Sequence, residues 1–219
     1  MRIKVLDKIS DSSKTIYKTI AYIDSYKGVP LVNLHAIYES SMDEAIFGRL
    51  FRSRIKEDSR TEYFIYTFDY PKHGMYIEQG TWGSSKVEHR DTLHMDTLYQ
   101  DGLSLFYYAR AHVAEKHELH IPTVVKEKKV KTTIKFLNER TSEKIDAVNY
   151  PIDVIHFEGD AEFVGIFGLT GAFEGWFTSD PAHVPIVANM KVIIGNIRIE
   201  LMKWNREGWT PPRYVEGNR

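Results

Sequence analysis

The 219-residue chain carries 29 basic and 30 acidic side chains, a formal charge of −1, so no global field draws it to nucleic acid or to an anionic membrane. It contains no cysteine, which excludes disulfides, thiolate nucleophiles and zinc–thiolate sites together. Hydrophobic residues at 42% suffice for a sizeable core, and the 13% of aromatics favours sheet over helix.

The first twenty residues hold no apolar stretch of signal-peptide length, and no run approaches the eighteen apolar residues of a transmembrane helix. From Lys14 to Ile23 the sequence "KTIYKTIAYI" reads as a strand with little contrast between faces. "SYKGVP" breaks it and "LVNLHAIY" resumes extended structure. A helix is predicted over about residues 42–53, because Ser41 and Glu44 have capping-box spacing and Ile46, Leu50, Phe47 and Phe51 recur at helical intervals. "TEYFIYTFDY" is an aromatic strand, Tyr70-Pro71 and Gly74 mark a hairpin turn, and "MYIEQGTW" returns.

A second helix is predicted over about residues 101–115, with Leu105, Phe106, Ala109 and Val113 on one stripe. Beyond it Val130, Thr132, Ile134 and Phe136 alternate with Lys129, Lys131, Thr133 and Lys135, a half-buried strand with a solvated lysine face. Near the C-terminus the apolar phase switches from even to odd positions across Gly195-Asn196. A two-residue turn there pairs Ile194 with Ile197, Val192 with Ile199 and Met190 with Leu201, and sets Lys191 opposite Glu200. With no internal repeat or linker, the expectation is a single mainly β domain over 1–219, a curved antiparallel sheet or barrel-like sheet, with peripheral tails at 1–12 and 206–219.

Ser179, Asp180 and His183 look like a compressed triad. Asp180-Pro181 makes "TSDPAH" a loop between strands instead, and Ser179 has no Gly-x-Ser-x-Gly elbow. His89, His94 and Asp96, with His112, His117 and His120, raise a metal alternative, although no His-Glu-x-x-His pattern is present. The carboxylate pairs Glu158/Asp160 and Glu139/Glu143 fall in turn-like contexts and read as solvated. Tyr66, Phe68, Phe173 and Trp176 are the candidate lining of an apolar pocket, against the alternative of ordinary core. The residues themselves point to no catalytic set, cofactor or metal.

Three stretches, "FIYTFDYPKHGMYIE", "DGLSLFYYAR" and "GAFEGWFTSDPAHVPIVANMKVIIGNIRIELMKW", give the chain a resemblance to an uncharacterised family of bacterial exported proteins, the domain of unknown function 3108. The resembling positions include Tyr107 and Arg110 in a Tyr-x-x-Arg ending, then Trp176, Ser179, Asp180, Pro185, Gly195, Glu200 and Leu201. The resemblance implies a barrel-like or strongly curved antiparallel sheet and a cell-envelope location, and it carries no catalytic residue. The family usually opens with a signal peptide and a further strand, so it implies export if the true start lies upstream, and a cytoplasmic protein if Met1 is the start. The expected function is a non-enzymatic envelope protein that binds an apolar small molecule or a partner protein. The alternatives are a histidine/carboxylate hydrolase and an assembly component acting through a sheet edge.

Overall fold

The computed structural model describes residues 1–10, 14–24, 35–56, 59–125, 127–161, 169–192 and 196–216. The elements run β1 (Arg2–Ser10), β2 (Thr15–Asp24), β3 (His35–Asp43), β4 (Gly48–Lys56), β5 (Thr61–Asp69), β6 (Gly74–Thr81), β7 (Val87–His94), α1 (Gly102–His112), β8 (His117–Val125), β9 (Lys128–Glu143), β10 (Ile152–Ala161), β11 (Leu169–Thr178), β12 (Pro185–Val192) and β13 (Asn196–Glu200). The chain is mainly β, with two antiparallel sheets of order β1-β2-β3-β4-β5-β6-β7 and β13-β12-β11-β10-β9-β8. Among the described residues neither sheet closes into a barrel. Contacts divide the chain into two compact units, Met1–Tyr107 with Pro122–Val130, and Tyr108–Ile121 with Lys131–Arg219.

In the first unit the sheet is a meander in which every strand pairs with its sequence neighbour, a topology that short turns make directly. Its buried face is built of rows that cross the strands. Thr19, Ser40, Phe51, Tyr66 and Ile77 stand opposite one another in β2 to β6, each at most 4% exposed. The rings of Tyr38, Phe51 and Tyr66 stack along this face at centroid separations of 6.0 and 5.2 Å. Burial drives the Tyr38 phenol up to about 12.

The helix expected over residues 42–53 does not form; β3 and β4 meet there in a hairpin. Asp43 explains the difference. Its Oδ1 accepts from the amides of Ala45 and Phe47, its Oδ2 from Arg49, and Ile46 takes φ +66° at the tip. A short carboxylate that satisfies turn amides outbids a capping box whose helix would have to break at the next strand. The spacing of Ile46 and Leu50 spans the turn and therefore says nothing about a helical face. "LVNLHAIY" falls partly outside the described residues, and β3 takes up its last four.

The second predicted helix is α1. Asp101 caps it: Oδ1 accepts from Leu103 N at 2.8 Å and Ser104 N at 2.9 Å, while its own amide donates to Ser104 Oγ at 2.9 Å. Its Oδ2 accepts from Ser40 Oγ at 2.7 Å, which ties the start of α1 to the buried face of the first sheet.

In the second unit, Ile145, Ile152, Val154, Trp176, Ile186 and Val187 form one core cluster. Between β10 and β11 two glycines lie under phenylalanines of the opposite strand, Gly159 under Phe173 and Gly175 under Phe157, so the rings occupy space that any Cβ would need. The lysine-bearing face of β9 is exposed and its Thr132, Ile134 and Phe136 are buried, as its alternation predicts.

The terminal hairpin keeps its predicted phase but not its register. Met190 pairs with Ile197 and Ala188 with Ile199, four residues from the expected alignment, so Lys191 faces Asn196 and Glu200 faces Val187. Of the predicted turn, Gly195 lies outside the described residues, as does Ile194 of the predicted Ile194–Ile197 pair, and Asn196 already belongs to β13. A slip of four leaves every side chain on the same face, so the apolar pattern is blind to it. The expected tails are also structured. Arg2–Ser10 is a paired strand, and the segment after β13 is pinned by Asp153 N to Pro212 O, Tyr214 N to Pro151 O and Trp209 Nε1 to Asp180 Oδ2 at 2.6 Å.

Candidate functional site

The four residues singled out as pocket lining fall two in each unit. Tyr66 and Phe68 are 4% and 5% exposed, Tyr66 stacked on Phe51 and Phe68 stacked on Tyr70 at 6.0 Å. Trp176 is 8% exposed and lies flat on His156 at 4.8 Å, its cross-strand partner. Phe173 meets Phe157 edge-on at 6.3 Å. Each ring thus has a ring neighbour within its own unit.

Ser179, Asp180 and His183 are loop residues, as Asp180-Pro181 suggests. Val184 N donates to Thr178 Oγ1 at 2.8 Å, His183 N to Asp180 O at 3.0 Å, and Trp209 fixes the Asp180 carboxylate. From α1, Arg110 donates through Nε to His183 O at 3.0 Å and through Nη2 to Ala182 O at 2.7 Å. The Tyr-x-x-Arg and Ser-Asp-Pro segments are therefore structural partners, the guanidinium capping two carbonyls that would otherwise face no strand.

Of the histidines named from sequence, His112 and His117 come together across the end of α1 and the start of β8. On β7, His89 and His94 are five residues apart, and on β8, His117 and His120 are three apart. Odd spacings on a strand point to opposite faces, so neither pair converges. His120 Nδ1 lies 3.1 Å from Thr133 Oγ1. Asp96 accepts from Tyr99 Oη at 2.7 Å and Lys129 Nζ at 3.1 Å, and these bonds hold its carboxyl down at about 2. Glu139, Glu143, Glu158 and Asp160 lie in strands β9 and β10, not in turns. Glu143 is engaged by Arg198 at 3.1 Å.

Two groupings of ligand-type side chains stand among the described residues. His112 ends α1, Glu115 sits in the turn and His117 opens β8. His112 Nδ1 is 3.0 Å and His117 Nε2 3.4 Å from Glu115 Oε2, and the three ligand atoms lie within 4.8 Å of one another. His89, Asp91 and Glu127 make the other, exposed at all three positions. Glu115 escaped the sequence reading because its ligand-type neighbours straddle helix, turn and strand, where no single periodicity applies.

The largest feature the sequence reading passed over is β1. Among the described residues it is an edge strand of the first sheet, hydrogen-bonded to β2 alone, with Val5, Leu6 and Ile9 exposed at 53%, 56% and 45%. Leu6 is the extra residue of a bulge, since Val5 faces Thr19 and Asp7 faces Lys18. Arg2 lies over the Tyr22 ring at 4.4 Å and Lys8 over Tyr17 at 5.7 Å, which holds the strand against the sheet without covering its outer edge. The interruption at Leu6 breaks the alternation of "RIKVLDKIS" and hides the strand from a period-two reading.

No helix of the described residues is long and apolar enough to cross a membrane. No curated protein and no solved structure matches the chain. Residues 3–202, which hold both sheets and α1, match the family described as "Protein of unknown function (DUF3108)", and the chain belongs to that family.

Proposed function

We propose that the chain is a non-enzymatic binding protein of the cell envelope that takes an extended, acidic segment of a partner protein along β1. The observation that carries this reading is the nine-residue edge strand with three large apolar side chains in solvent. Sheet edges are normally blunted by short length, lysines, bulges or cover, because their free N–H and C=O groups template another strand; in β1 the bulge at Leu6 leaves a regular stretch on either side of it, and large apolar side chains stand among the lysines. Strand addition draws affinity from those main-chain groups and specificity from alternate side chains. Arg2, Lys4 and Lys8 against the single Asp7 give β1 a positive balance, which suits an acidic segment. The envelope location rests on the family resemblance. An apolar small molecule held by Tyr66, Phe68, Phe173 or Trp176 is the other expected occupant, and it would have to displace the ring contacts those residues already make.

The test is a photo-reactive residue at Leu6, with adducts mapped by mass spectrometry in envelope fractions. The reading expects one protein joined through an extended acidic segment, with capture lost in a Val5→Asp/Ile9→Asp variant that remains folded. Capture that survives those substitutions, or adducts spread over many unrelated proteins, would end it.

A further inference from the structure

The geometry points to a divalent transition-metal site formed by His112, Glu115 and His117, which we propose binds zinc or an ion of similar preference through His112 Nδ1, Glu115 Oε2 and His117 Nε2. Zinc takes imidazole and carboxylate ligands at about 2.0–2.1 Å in tetrahedral array, which sets neighbouring ligand atoms about 3.3 Å apart. The two measured edges of the triangle, 3.0 and 3.4 Å, bracket that spacing. The third pair of ligand atoms, on the two histidines, lies within 4.8 Å.

The rings are held before any ion arrives. His112 packs on Tyr108 at 4.3 Å, and His117 lies 5.2 Å from Phe136, a side chain only 1% exposed. The two imidazoles meet edge to face at 6.1 Å, an arrangement that lets both aim a nitrogen at one point. His112 is also the last residue of α1, where the helix presents its carbonyl ends and favours a cation. Glu115 is pinned by its amide, which donates to His112 O at 3.0 Å. Both histidine side chains are about 30% exposed and Glu115 about half, so the site opens to solvent on one side. Three protein ligands leave the fourth position for water or for a donor supplied by another molecule.

The alternative is a carboxylate simply bridging two imidazole N–H donors, which needs no ion. The His89, Asp91 and Glu127 group is exposed at all three positions. It serves as an internal control.

The chain is stripped with chelator, exposed to zinc alone, passed through gel filtration and assayed for bound metal; cobalt replaces zinc for visible spectroscopy. The proposal expects one ion per chain and the intense visible bands of tetrahedral cobalt. It also expects affinity to fall about tenfold or more in Glu115→Gln and in His117→Gln, with His89→Gln unchanged. Glu115 is exposed, so its variant keeps the fold, which circular dichroism checks. Substoichiometric metal after gel filtration would overturn the site, as would zinc affinity equal to wild type in both variants, or loss of binding in His89→Gln.

Discussion

Replacing Asp101 by alanine removes the acceptor for three donors in an environment that water does not reach. Asp101 and Ser104 are 0% exposed and Ser40 is 2% exposed, and the amides of Leu103 and Ser104 together with the Ser40 hydroxyl all lose their partner. At about 1 kcal/mol for each stranded donor, the low end of the usual range, the loss is about 3 kcal/mol. For a chain of this size that corresponds to a fall in Tm of roughly 6–12 °C. Asp101→Asn keeps an amide oxygen toward Leu103 and Ser104, and the Ser40 hydroxyl can turn to accept from the new NH2, so its cost is expected below about 1 kcal/mol.

The pH dependence adds a second reading of the same group. Burial pushes the Asp101 carboxyl up from its ordinary value, opposed by the bonds from Ser104, Ser40 and Leu103. Between the ordinary and the raised value the native state therefore holds a proton that the unfolded chain has released. Stability contributed by this group falls as pH rises through that window, and the slope is lost in Asp101→Asn. Urea unfolding of wild type and both variants, at mildly acidic and neutral pH, measures all of this. An alanine variant within about 1 kcal/mol of wild type, or an asparagine variant as damaged as alanine, would refute the reasoning.

Gly175→Ala would place a Cβ 2.5 Å from Phe157 Cζ, and that ring, packed among Phe136, Phe173 and Phe177, has no free direction to swing; urea unfolding should show a loss of about 1–3 kcal/mol, whereas a neutral or stabilised variant would contradict the packing. Tyr99→Phe removes the main bond holding the Asp96 carboxyl near 2, so its NMR titration midpoint should climb toward the ordinary value of about 3.9 while Lys129 keeps part of the depression; an unmoved midpoint would dismiss the Tyr99 bond. The depressed midpoint also means that the Asp96 contribution is present at neutral pH and is lost as pH falls toward 2.

Much of the strand content was legible because burial writes itself into alternation. Val130 to Phe136 and Thr61 to Asp69 have one wet and one dry face, or one run of rings, and the fold uses them as read. Information that alternation does not encode was lost. A capping box at Ser41 and a hairpin turn at Asp43 use the same short polar side chains, and the choice between them is made by pairing across β3 and β4. The β12–β13 register is invisible to a pattern of period two, because a slip of four preserves it. The edge of β1 is a property of what does not pair with it, and the His112–Glu115–His117 triangle exists only after a helix, a turn and a strand have folded. Arg110 and the loop it caps lie over seventy positions apart, so the pairing could be named only as two separate family motifs.

Whether β1 acts as a template for another strand is read directly by amide hydrogen exchange. In the isolated chain the β1 amides that face away from β2 should exchange rapidly, while those of the central strand β4 are protected. On addition of the cross-linked partner's segment as a peptide, the outward amides of β1 should become protected and those of β4 should not change. Binding of that peptide with the outward β1 amides still exchanging freely would contradict the account.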